Sequence, residues 1–200
     1  MALTIHGSHQ SRTKRVLWMV AELGLDYTHD PIAFDDPALK SPAFLALNPA
    51  GAIPTIEDNG YALAESLAIN LYLAKRYDPG GLYPETLQGE AQAWRWTLWA
   101  QGQLEPWVMR DALLADVRAA VAPHVAPVIA AGLATLERVL AGRDWLIEDR
   151  FTVADLNVAA VLSPSRAQAL DLEPYPAVQD WLARCYDRPA ARAVRARFAA

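Results

Sequence analysis

The sequence predicts a small α/β domain followed by an all-helical bundle. Three observations carry the prediction. Strand and helix periods alternate through the first part of the chain, a Pro/Gly-rich stretch from Asp78 to Pro84 follows it, and every periodic segment beyond is helical. The expected boundaries are 1–78 for the α/β domain, 79–88 for a linker and 89–200 for the helical domain.

Ala2 to His6 reads as a strand, followed by the loop Gly7-Ser8-His9-Gln10-Ser11. From Arg12 to Leu23 the pattern turns helical, with Val16, Val20 and Leu23 on one face and Gly24 as the stop. Asp26 to Ile32 is a second strand. Ser41 to Leu47 is a short helix ended by Asn48-Pro49-Ala50-Gly51. Ile53 to Glu57 is a strand, Asn59-Gly60 a tight turn, and Tyr61 to Leu63 the returning strand. Ser66 to Tyr77 is helical, with Leu67, Leu71 and Ala74 on one face. The order β-α-β-α-β-β-α gives a mixed sheet covered by helices.

In the second part, Gly89 to Glu105 is a helix kinked at Pro106 and continuing from Trp107 to about Val117. Ala126 to Leu140 follows, closed at Gly142, then Thr152 to Leu162, then Ala177 to Tyr186 before Arg188-Pro189. Thr152 and Asp155 have the spacing of a capping box, with Phe151 and Leu156 as its hydrophobic staple.

Composition narrows the function. With 53% hydrophobic and 20% charged residues the chain is globular. No run approaches the ~18 apolar residues of a membrane span, and the N-terminus lacks the pattern of a secretory leader, which points to the cytoplasm. A net charge of −5 argues against a nucleic-acid partner. Arg184, Arg188, Arg192, Arg195 and Arg197 read as cations along solvated helix faces. The single Cys185 excludes an intrachain disulfide and a Cys-rich metal site, and reads as a small core residue. His6 and His9 lack the further ligands of a metal site. Trp94, Trp96, Trp99 and Trp107, with Met109 and Arg110 after them, cover more than one helix face. They divide between core packing and an apolar pocket or subunit contact.

Three segments carry candidate chemistry. In a thioredoxin-like β-α-β layout the loop after the first strand meets the positive end of the first helix, where a thiolate is stabilised. The loop holds no cysteine, so the thiol must come from a substrate, and a serine hydroxyl can donate to that sulfur. Ser11 equally reads as an N-cap for the following helix. Next, Asn48-Pro49-Ala50-Gly51-Ala52-Ile53-Pro54-Thr55 places a proline at the opening of a strand. A cis Ile53-Pro54 bond would leave the Ile53 backbone free to pair with an extended peptide. Last, Glu65-Ser66 precedes a helix, where Ser66 and free N–H groups suit a carboxylate and Glu65 suits an ammonium. A capping serine beside a solvated glutamate is the simpler alternative there.

Together these segments resemble the cytosolic glutathione transferase superfamily, in a bacterial-type form with a serine in the N-terminal loop. GSHQSRTKRVLWMVAELGLDY resembles the family's first helix and lead-in, and FLALNPAGAIPTIEDNGYALAESLAINLYLAKRY its most recognisable segment. FTVADLNVAAVL and YPAVQDWLARCYDRPAARA resemble stretches of its helical domain. The resemblance implies a thioredoxin-like first domain that binds glutathione as substrate, an acceptor site for a small hydrophobic electrophile facing the second domain, and a homodimer serving detoxification. It requires no metal.

Carried onto this chain, Ile53 pairs by its backbone with the cysteinyl part, Pro54 is cis, and Glu65 and Ser66 hold the γ-glutamyl end. Ser11 fits the S-R-x-x-R-V pattern best as thiol activator, with Ser8 and Gln10 as competing candidates. Ala52 stands where the family often has a lysine, and Lys40 is the candidate replacement. A glutathione-dependent reductase or peroxidase, and a non-catalytic binding protein on the same fold, are the alternatives.

Overall fold

The computed structural model describes residues 2–108, 115–168 and 170–198. It divides into two compact units. One runs to Gly80 and takes in the chain from Arg188 onward, and the other is Gly81–Asp187.

The first unit is built on β1 (Leu3–His6), α1 (Thr13–Glu22), β2 (Thr28–Asp30), α2 (Pro42–Leu47), β3 (Thr55–Asp58), β4 (Tyr61–Ala64) and α3 (Ser66–Tyr77). Among the described residues the strands form one four-stranded sheet, ordered β2-β1-β3-β4. β1 and β2 are parallel, as the helical crossover through α1 requires. β3 runs antiparallel to both β1 and β4. Asn59 and Gly60 close the β3–β4 hairpin with φ of 50° and 85°, the two positive values that a two-residue turn demands. α1 and α3 pack together and bury Val16, Leu17, Val20, Ile69 and Leu73. Ser41 caps α2, its hydroxyl accepting the Phe44 N–H at 3.2 Å.

The second unit contains α4 (Leu87–Trp99), α5 (Glu105–Val108), α6 (Ala115–Leu140), α7 (Val153–Leu162), α8 (Pro164–Ala167) and α9 (Pro176–Tyr186). α7 is buried along its whole length, which is why its sequence is apolar on every face. The Thr152–Asp155 capping box is formed, and Phe151 and Leu156 are both buried. The Asp155 carboxylate accepts from Thr152 N and Oγ1, from Leu146 N and from Trp181 Nε1. Burial holds its carboxyl above the usual carboxylate range against those bonds. Trp96 and Cys185 are core residues, whereas Trp94 is half exposed.

Several boundaries differ from the sequence expectation. The irregularity after α4 is a π-turn over Ala100–Leu104, upstream of Pro106. The proline ring conflicts with the carbonyl four residues earlier, at Gly102, and the backbone widens there. α6 starts before Ala126 and contains Pro123 and Pro127. Both prolines are exposed on one face, so water can serve the carbonyls they leave undonated. The expected continuation to Val117, with Met109 and Arg110, falls largely outside the described residues. The 79–88 stretch is not a free linker. Leu82 and Tyr83 are buried, and Arg150 and Val153 donate to the carbonyls of Gly81 and Leu82.

Residues from 188 onward, expected with the helical domain, belong to the first unit. Their helix, α10 (Pro189–Arg197), packs on α1. Arg188 clamps Glu22 through two bonds of 2.8 Å, and the Glu22 side chain is almost fully buried. The arginine series is therefore not simply a solvated stripe.

Candidate functional site

β1 delivers the chain into Gly7, whose φ of 133° excludes other residues. A Cβ at Gly7 would collide with Thr13 Oγ1 and lie 2.9 Å from Ile53 Cβ. The start of α1 and the residue before Pro54 therefore meet at the end of β1. Ser11, half-buried, belongs to the same cluster. Its hydroxyl donates to the Ser8 carbonyl at 2.7 Å, lies 2.8 Å from the Thr13 hydroxyl and accepts the Thr13 N–H at 3.1 Å. α1 starts at Thr13 rather than Arg12, and Arg12 in the capping position contributes no side-chain cap. Ser11 thus supplies a capping oxygen while keeping a second hydroxyl beside it. The Ser8 hydroxyl accepts the Gln10 N–H at 3.2 Å and serves the turn, and the Gln10 side chain is exposed.

The Ile53–Pro54 bond is cis. Neither the N–H nor the C=O of Ile53 takes a hydrogen-bond partner among the described residues. The loop before it is cross-linked by its own side chains. Asn48 is buried, accepts the Ala50 N–H at 3.1 Å, and donates to the Ala52 carbonyl at 2.8 Å and Thr55 Oγ1 at 3.1 Å. Thr55 in turn donates to the Ala52 carbonyl. Gly51 adopts φ 57°, and a Cβ there would strike the Leu39 carbonyl at 2.6 Å. Lys40 reaches the same loop, donating to the Ala50 and Gly51 carbonyls at 3.1 and 3.0 Å.

At the start of α3, Glu65 is exposed and has φ 70°. A glutamate held in that region costs on the order of 1–3 kcal/mol, the kind of strain that collects at ligand sites. Its carboxylate caps nothing in the helix. Ser66 behind it is buried, and its hydroxyl accepts from the Arg15 guanidinium at 3.4 Å. The head of α3 carries the positive end of the helix dipole.

The structure therefore gathers Ser11 and Ile53 around Gly7, sets Lys40 against the loop leading to Ile53, and places Glu65 and Ser66 together at the head of α3. Sequence reasoning missed Thr13, Arg15 and Asn48. Arg15 is 2% exposed, and a buried arginine requires partners. Its signal was a charged residue on the face of α1 that otherwise buries Val16 and Met19. Among the described residues no His/Cys/Asp/Glu cluster could hold a metal ion, and no helix is long and apolar enough to cross a membrane.

Comparison with known proteins shows the family. Residues 11–76 match the glutathione S-transferase N-terminal domain and residues 100–189 its C-terminal domain. Glutathione S-transferase 3 of Zea mays is 33% identical over 192 residues, spanning 88% of this chain and 85% of that protein. Glutathione S-transferase GstB of Escherichia coli is 30% identical over 202 residues, spanning 96% of this chain and 97% of that one. The solved structure of glutathione S-transferase-I bound with lactoylglutathione has a TM-score of 0.83 at 27% identity, covering 97% of this chain and 98% of that one. With two relatives at or above 30% identity over nearly their whole lengths and both domain types matched, the chain belongs to the glutathione S-transferase family.

Proposed function

We propose that this protein is a glutathione transferase that binds glutathione in its first unit, activates the thiol with Ser11, and directs the thiolate at a small hydrophobic electrophile. The observation that supports it most is the convergence at Gly7 of the Ser11–Thr13 hydroxyl pair with Ile53, whose backbone is unpaired. An extended peptide paired to Ile53 as an added strand brings its cysteinyl sulfur close to those hydroxyls. Glu65 takes the ammonium of the γ-glutamyl end. Ser66, at the positive end of the α3 dipole, takes its carboxylate, with the Arg15 guanidinium behind it. Lys40 spends two of its three N–H donors on the loop, and the third is available to the glycyl carboxylate.

The thiol proton passes to water. Ser11 then turns its proton from the Ser8 carbonyl to the thiolate, and Thr13 can donate to the Ser11 oxygen in its place. One hydrogen bond to a charged acceptor contributes about 1.5 kcal/mol, or roughly one unit of thiol pKa. The thiolate forms a bond to the electrophilic carbon, and the leaving group departs with its electron pair. No metal, nucleotide or flavin takes part. We place the reaction in the cytoplasm, in detoxification, and in a homodimer, for which exposed apolar residues on α4 are the support.

Retention on glutathione-agarose followed by assay against activated aryl chlorides tests the reading. Elution by free glutathione and formation of the thioether are expected. Retention with no conjugate from any electrophile would leave a binding protein, and no retention would overturn the site.

A further inference from the structure

The loop that carries Ser11 is held from a direction the reaction itself does not use. Gly7 N–H donates to the Asp30 carbonyl at 2.8 Å and Ser8 N–H to the Ile32 carbonyl at 2.7 Å, which ties the loop to the end of β2 and the residues just after it. His29, in the middle of β2, places Nε2 2.9 Å from the Gly7 carbonyl. A carbonyl only accepts, so Nε2 carries the proton. The other face of this contact is aromatic. Phe198, directly after α10, stacks on His9 of the loop at 4.5 Å with 11° between the planes. It also meets the His29 ring edge-on at 6.1 Å. Arg197 donates to the Tyr27 hydroxyl at 2.9 Å and lies over the Phe198 ring at 5.4 Å. The Arg188–Glu22 clamp holds the start of the same helix. One helix is thus held at both ends, and the residue at its far end sets an aromatic ring against both the loop and the strand that pins it.

We propose that His29 and Phe198 are positioning residues for the thiol-activating loop: His29 fixes the Gly7 carbonyl, and Phe198 holds His29 and His9 in register. The assignment rests on the thiol-activating role proposed for that loop. Neither residue reaches the thiol. They act by keeping the Ser11 hydroxyl where the sulfur arrives, since a small misplacement of a donor weakens its bond steeply.

The test titrates the thiolate absorbance of bound glutathione in four variants, each checked for native circular dichroism and for glutathione affinity. His29→Ala and Phe198→Ala are expected to raise the bound thiol pKa by about half a unit to one unit. That lowers kcat roughly three- to tenfold below the pKa, with the glutathione KM within about twofold. His29→Gln, which keeps an N–H donor at similar reach, and Phe198→Tyr, which keeps the stack, are expected to restore the wild-type value. A purely structural role would change the melting temperature and leave the thiol pKa where it was. Unshifted thiol pKa values in folded His29→Ala and Phe198→Ala overturn the proposal. Ser11→Ala, measured alongside, separates the two readings. If it shifts while those two do not, the activator stands and the positioning role falls. If none of the three shifts, both fall. Should the Ala variants of His29 and Phe198 shift without Ser11→Ala doing so, positioning stands and the donor is another group of the same loop.

Discussion

Ser11 has one proton and two neighbours that compete for it, the Ser8 carbonyl and the Thr13 hydroxyl. The proposed activation requires that this hydroxyl can turn its hydrogen bond to the sulfur, and a second hydroxyl beside it can donate in its place. Ser11→Ala is expected to raise the bound thiol pKa by about one unit and to lower kcat roughly tenfold near neutrality. The loss shrinks as pH rises, because above the shifted pKa the thiolate forms unaided. Ser8→Ala, which removes only an acceptor for the Gln10 N–H, is expected to leave the titration unchanged. A stopped-flow pH profile of both variants checks this. Glu65 supports a second expectation. Glu65→Ala keeps the strained φ of 70° and should raise the glutathione KM tenfold or so with little change in melting temperature. Glu65→Gly should raise KM as much yet stabilise the fold by about 1 kcal/mol, because glycine adopts that backbone without penalty. A melting temperature that falls sharply with KM unmoved would make Glu65 structural. Ser11, Ile53 and Glu65 stand out as candidates in the sequence because each sits at a junction where local chemistry is unusual. Thr13, Arg15 and Asn48 do not, since they are buried polar groups whose partners lie across the fold. Asn48 reads as an ordinary helix end until its amide is seen spanning Ala50 to Thr55.

Elements were most legible where a local rule fixes their ends. α3 spans Ser66–Tyr77, as its periodicity predicted, and the two-residue hairpin turn forms at Asn59-Gly60. The capping box at Thr152 was also readable, but its full role was not. Asp155 closes the box and also receives Leu146 N–H and Trp181 Nε1–H, so it joins α7 to the segment before it and to α9. A capping aspartate alone contributes about 1 kcal/mol. Removing this one strands buried donors as well, so Asp155→Ala is expected to cost about 2–4 kcal/mol. Chemical denaturation measures the loss. Specific activity of the molecules that remain folded should match wild type, and a large fall in kcat at unchanged stability would contradict the assignment. Where proline was the signal, its effect appeared displaced. Pro106 perturbs the turn around Gly102, and Pro123 and Pro127 sit inside α6, because the cost of proline falls on the carbonyl four residues earlier and on its exposure.

At the scale of the molecule, sequence periodicity says which segments are helical but not which unit a helix joins. Arg188 and Glu22 are 166 residues apart, and nothing local to either marks the pair. The proposed association of copies is different, because an exposed apolar face is visible in one chain. On α4, Leu87, Trp94 and Leu98 are 77%, 50% and 61% exposed. Their spacing of seven and then four residues puts them along one face of the helix. Trp96, two residues from Trp94, points the other way and is 1% exposed, so the stripe is not leftover core. A row of large apolar side chains in water marks an interaction surface, and a second copy presents the same row by two-fold symmetry. Leu98 is the sharpest probe, since it packs little within its own chain and its replacement leaves the fold intact. In sedimentation equilibrium the wild type is expected at about twice 21.9 kDa. Leu98→Arg places two like charges against each other across the two-fold axis and is expected to sediment as a monomer with unchanged circular dichroism. A wild type that is monomeric at tens of micromolar overturns the homodimer. A Leu98→Arg variant that stays dimeric moves the interface off this face of α4.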